Sequence, residues 1–111
     1  MGVVLIKNRI TLSDLQKAKE DYGDYVKITL DVDLELLTIG GQWHADGEKL
    51  LINNGSKQEN IWGGGINLVN NQVETFALIN LRPKQNNNSQ EILDPETRER
   101  FIKIVKEKFN L

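Results

Sequence analysis

The chain has 111 residues, 39% hydrophobic and 27% charged, with 14 Lys plus Arg against 16 Asp plus Glu, which describes one small globular domain able to form its own core. Its net charge of −2 excludes a dedicated nucleic-acid binder or a membrane-surface helix protein, because both need a positive field. Cysteine is absent, so disulfides, zinc thiolates, iron–sulfur clusters and thiol nucleophiles are excluded as well.

The apolar run Val3 to Ile6 predicts a short strand over Gly2 to Ile6. Lys7, Asn8 and Arg9 follow it, the reverse of a secretory signal's charge order, and no run of about 18 apolar residues occurs, so a cytoplasmic location is expected. A helix comes next, capped by Thr11 or Ser13, with Leu12, Leu15, Ala18 and Tyr22 at helical spacing and Gly23 as its stop. From Tyr25 the period becomes two: Val26, Ile28, Leu30 and Val32 alternate with polar positions, a strand with one buried face. A second strand, Leu36 to Ile39, ends at Gly40-Gly41, where paired glycines permit positive φ.

Gln42 to Glu48 has no clear period, and Lys49 to Ile52 reads as an apolar stretch running into an Asn54-Gly55 tight turn. Lys57 to Trp62 reads as a turn of helix or a loop, and Gly63-Gly64-Gly65 as a hinge or bulge. Two further strands, Ile66 to Val69 and Val73 to Leu81, flank a compact connection at Asn70-Asn71-Gln72. The second, apolar on both faces, is expected to be central in the sheet. Arg82 to Leu93 is a long irregular stretch, a length that points to function or mobility. The last helix is well marked by Asp94 as cap, Pro95 at its first position and the apolar stripe Phe101, Ile102, Ile104, Val105 and Phe109. The expected fold is therefore α+β, a single domain over residues 1–111 in which an antiparallel sheet of about five strands is covered by an N-terminal and a C-terminal helix.

Candidate chemistry gathers around the one histidine. His44, Asp46 and Glu48 share a face if the segment is extended, and His44 and Glu48 do so if it is helical. An imidazole beside carboxylates suits a general base with its orienting acid, although a lone His among acids also reads as a surface or capping cluster. A metal site lacks ligands, since no second His exists. Asp31, Asp33 and Glu35 resemble the start of a calcium loop, but Leu36 and Gln42 stand where its Gly and bidentate Glu belong. They read instead as a solvated strand face.

Neither a P-loop nor a dinucleotide fingerprint surrounds the three glycines, and no Gly-x-Ser-x-Gly occurs. Arg82, at the end of an apolar strand, is placed to fork onto a carboxylate or phosphate, with Gln85, Asn88 and Ser89 as neutral partners. Its alternative is a structural ion pair to Asp46, Glu48 or Glu91. Trp43 and Trp62 are candidate stacking platforms or core residues.

The strings Gly41 to Glu48, Asn54 to Gly63 and Ile79 to Ser89, followed by Ile92-Leu93-Asp94-Pro95 and a basic helix, resemble a small prokaryotic family catalogued only as a domain of unknown function. The likeness spans most of the chain and implies no activity. Taken together, the residues predict a ligand-binding or accessory protein for a small polar or anionic molecule, held by His44, Asp46, Glu48 and Arg82 with Trp43 or Trp62 alongside, and needing no cofactor. One alternative is a small hydrolase or lyase in which His44 is the base, Asp46 or Glu48 orients it and Arg82 steadies an oxyanion. Another is a structural module that homodimerises through a sheet edge.

Overall fold

The computed structural model describes residues 2–111. Strands β1 (Val4–Ile6), β2 (Tyr25–Asp31), β3 (Leu36–Ile39), β4 (Ile61–Asn67) and β5 (Gln72–Glu74) form one sheet of order β1-β3-β2-β4-β5. Every pairing is antiparallel. Three α-helices accompany it: α1 (Leu12–Ala18), α2 (His44–Asn53) and α3 (Pro95–Lys108). This is the expected α+β sheet with one more helix than the sequence announced. No described helix is long and apolar enough to cross a membrane.

Alternation along β2 sorts its side chains between two faces. Val26, Ile28 and Leu30 join Leu37, Ile39 and Ile66 in a core closed by Phe101, Ile104 and Val105 of α3. That helix begins as expected, with the Asp94 carboxylate accepting from the Thr97 amide and Pro95 in the first turn. Tyr25, Lys27, Thr29 and Asp31 point to the other face, which α2 covers over β2 and β3. The approach is close because Gly47 has no side chain: a Cβ there would collide with the hydroxyls of Thr29 and Thr38.

Lys49 to Ile52 is the last part of α2 and not a separate apolar stretch, and the expected Asn54-Gly55 turn follows it, with Asn54 as the helix C-cap and Gly55 at φ +100°. Gly40 and Gly41, at φ +87° and +89°, make the sharp turn from β3 toward that helix, a conformation that costs glycine little. Asp31 is buried rather than solvated, and its Oδ1 accepts the amides of Asp33 and Leu34 in the turn that follows β2.

Two other expectations are corrected on the far half of the sheet. Gly63, Gly64 and Gly65 are neither hinge nor bulge. They lie inside β4, paired in register with Thr29, Ile28 and Lys27. Val73 to Leu81 is not a central strand either, because β5 stops at Glu74 on the sheet edge and Leu78–Asn80 turns into a 3₁₀ helix. The ladder to β4 is continued by a side chain: the Asn80 carboxamide accepts from the Gly63 amide at 2.8 Å and donates to the Gly63 carbonyl at 2.9 Å. It thus pairs with one residue of β4 as a neighbouring strand would.

A Cβ on Gly64 would run into the Glu74 backbone carbonyl and lie 2.8 Å from two ring carbons of Phe101. We expect Gly64→Ala to lower unfolding free energy by about 1 to 3 kcal/mol, the range for overpacking a filled site. The urea midpoint measures this, and an unchanged midpoint contradicts it.

Candidate functional site

Trp43 is the N-cap of α2 in extended backbone and offers no side-chain hydrogen bond to the helix. His44, the first helical residue, reaches the sheet beside an N-terminus with no side-chain cap, where the Asp46 amide donates to the Trp43 carbonyl. The imidazole Nε2 lies 2.6 Å from the Gly64 carbonyl oxygen, and Cδ2 would touch a Cβ on Gly63 at 3.0 Å. A carbonyl can only accept, so in the neutral ring Nε2 carries the proton and Nδ1 keeps a lone pair. Burial is the main reason the imidazole's pKa falls below its ordinary 6.5. The Gly64 bond opposes that fall and the Lys27 ammonium adds to it.

Beside His44 lies a cleft of about 340 Å³, lined by Tyr25, Lys27, Trp43, His44, Ala45, Phe76, Ala77, Leu78, Ile79 and Gln90. Its polar floor comes from β2. Tyr25 lies across Gly65, where a Cβ would strike its ring and hydroxyl. Burial first, and then the neighbouring Glu74 carboxylate, push the Tyr25 pKa up to about 12, so the phenol stays protonated at neutral pH. The Lys27 Nζ sits 5.2 Å from the centre of the Tyr22 ring. Among the described residues, no carboxylate reaches ion-pair distance of that ammonium. The rim is apolar and open: Trp43, Phe76 and Leu78 are 67%, 55% and 69% exposed.

The opposite wall is held by amides. Besides its bonds to Gly63, Asn80 Nδ2 donates to the carbonyls of Thr75 and Gln90. Buried Asn87 donates to the carbonyls of Asn80, Ser89 and Glu91 and accepts from the Leu93 amide. The Thr75 hydroxyl donates to the Glu91 carboxylate. The stretch from 82 to 93 is thus an ordered strap that fixes Ala77 to Ile79 against the cleft.

Of the residues predicted from sequence, His44 and Trp43 belong to this cleft. Arg82 does not line it. Its Nε donates to the Ile79 carbonyl, Nη1 to the Gln58 carbonyl and Gln85 Oε1, and Nη2 to Glu48 Oε2 at 3.4 Å. Its guanidinium carbon stands 4.9 Å from the Trp62 ring centre. The Arg82 and Glu48 side chains are only 10% and 17% exposed, so the guanidinium is committed to the protein's own acceptors. Glu48 serves Arg82, and Asp46 borders a different depression with Val3, Lys49, Leu50 and Asn53. No hydrogen bond joins either carboxylate to the imidazole among the described residues. Trp62 is a core residue, 7% exposed. Gln85 braces Arg82 and donates to the Glu59 carbonyl, Asn88 is exposed, and the Ser89 hydroxyl accepts from the Glu91 amide. Among the described residues no group of acids and histidine is arranged to hold a metal ion.

Tyr25, Lys27, Phe76 and Leu78 were missed as site residues. The first two sit on the polar side of a strand that reads as solvated, and the other two sit in a segment that reads as a central strand.

A family profile described as "Protein of unknown function (DUF5674)" matches residues 4–108. No curated protein and no solved structure matches the chain.

A histidine whose folded pKa lies below its unfolded value makes the unfolded chain the first to bind the proton on acidification. Its contribution is complete above the unfolded pKa, falls as pH drops through 6.5, and levels off below the folded pKa. The urea midpoint of wild type should accordingly fall more than that of His44→Gln between about pH 8 and about pH 5. Parallel curves for the two proteins would contradict the buried, neutral imidazole.

Proposed function

The chain belongs to this family of proteins of unknown function, DUF5674, and from its geometry we propose a small-molecule-binding protein whose cleft at the α2 N-terminus takes an amphipathic anion. The observation that carries this is an ammonium group, Lys27, with no carboxylate at ion-pair distance among the described residues, on the floor of an apolar-rimmed cleft. A carboxylate or phosphate placed there gains a charge-assisted bond. The uncapped turn of α2, lined at Ala45, adds the positive end of a helix dipole. Trp43, Phe76 and Leu78 offer the flat apolar surface that a ligand's body would cover. The volume falls in the usual range for small-ligand sites, roughly 300 to 1,000 Å³. In the hydrolase or lyase reading a carboxylate orients the base; here a backbone carbonyl does so and Arg82 faces elsewhere, which favours binding.

The test is an NMR titration with 3-phenylpropanoate and with its neutral amide as control. Saturable shifts should cluster at Lys27, Trp43, His44, Ala45 and Phe76. The amide should bind more weakly, and Lys27→Met should weaken carboxylate binding about tenfold, the effect of losing one charge-assisted bond. Shifts scattered over the surface, or equal affinity in Lys27→Met, would overturn the proposal.

A further inference from the structure

The cleft presents an acceptor beside its cation, and that restricts which anions suit it. The Cδ2–Nε2 edge of the His44 ring lies against β4, with Nε2 on the Gly64 carbonyl and Cδ2 above Gly63. In a five-membered imidazole the atom opposite that edge is Nδ1, so Nδ1 points away from the strand. His44 also lines the cleft, and Nδ1 is not among the buried, unpartnered side-chain atoms of the described residues. No protein donor among the described residues reaches Nδ1. Lys27 is close by, because the sheet register sets it opposite Gly65 while His44 rests over Gly63. Two positions along β4 and one strand across amount to about 7 Å and about 5 Å, within the span of one small molecule.

Resting on the anion-binding reading above, we infer that the preferred ligand is an amphipathic hydroxy acid, whose carboxylate meets Lys27 while its hydroxyl donates to His44 Nδ1. The chemistry follows from complementarity. Lys27 only donates, so it takes the carboxylate oxygen. Neutral His44 at Nδ1 only accepts, so it requires an O–H or N–H on the ligand. An ammonium on the ligand would add a second positive charge beside Lys27, so the matching donor is a neutral one, and a hydroxyl is the smallest that fits beside a carboxylate. An anion lacking the donor strips water from Nδ1 without replacing its bond, and discrimination of that kind is how sites built on buried acceptors select.

Affinities of 2-hydroxy- and 3-hydroxy-3-phenylpropanoate are to be compared with that of 3-phenylpropanoate. At least one hydroxylated probe should bind about fivefold tighter, the effect of one added hydrogen bond. That preference should vanish in His44→Phe, which keeps an aromatic ring without the acceptor. In wild-type protein the ¹⁵N resonance of Nδ1 should move with the preferred probe and stay in place with the deoxy one, a readout independent of how the variant folds. Equal affinity of all three probes, a preference surviving in His44→Phe, or an unmoved Nδ1 overturns the inference while leaving the anion cleft standing. Failure of every probe to bind overturns both.

Discussion

Three consecutive glycines in the middle of β4 set the terms for what surrounds them. Each lacks a side chain where another element must stand: Gly63 leaves room for His44, Ala77 and Ile79, Gly64 for Phe101, and Gly65 for Tyr25. Because a strand alternates its faces, Gly63 and Gly65 open the α2 side while Gly64 opens the α3 side. Glycine inside a strand weakens it by roughly 0.5 to 1 kcal/mol per residue relative to alanine. That cost is offset here by a close-packed Phe101 on one side and a seated imidazole on the other. The same gap that seats His44 also decides its tautomer, since it brings Nε2 onto a backbone carbonyl.

A strand so stripped needs its edge completed, and the short β5 does not do it. Asn80 supplies both missing bonds at Gly63 and, with Asn87, ties the irregular strap to the sheet. Buried amides of this kind are stabilising only when their donors and acceptors are met, and here each Nδ2 shares its two N–H groups among three carbonyls while each Oδ1 accepts one backbone amide. A long segment with many Asn residues is therefore ordered through its amides rather than left mobile. The same amides fix the apolar wall facing Lys27 and His44, so the cleft depends on them indirectly.

Where local chemistry decided the structure, the sequence was legible. The Asp94-Pro95 start and apolar stripe marked α3, period-two alternation marked β2, and Leu36 to Ile39 emerged as β3 with the same bounds. Where a distant residue decided it, the sequence misled. The helix α2 was hidden by an apolar N-cap and an interior Gly47, although His44, Gly47 and Leu51 do recur at helical spacing. Nothing local in Gly63-Gly64-Gly65 says that three side chains from elsewhere will fill its space. Nothing near Asn80 says that it will pair with a residue 17 positions away. Of the two readings the sequence leaves for Arg82, a fork onto a ligand or an ion pair to Asp46, Glu48 or Glu91, the structure holds the pair with Glu48, with the Gln58 carbonyl beside it. Lys27 and Tyr25 were ordinary polar-face residues until α2 and the strap enclosed them.

The cleft's chemistry depends on how the glycine strand seats the imidazole. Its most direct test is the ¹⁵N spectrum of the His44 ring in the free protein at neutral pH, read through long-range couplings to the ring carbons' protons. A neutral ring with the proton on Nε2 and an unprotonated Nδ1 is the result expected. A proton on Nδ1, or fast averaging between the two nitrogens, would show that Gly64 does not hold the ring and would remove the acceptor from the cleft.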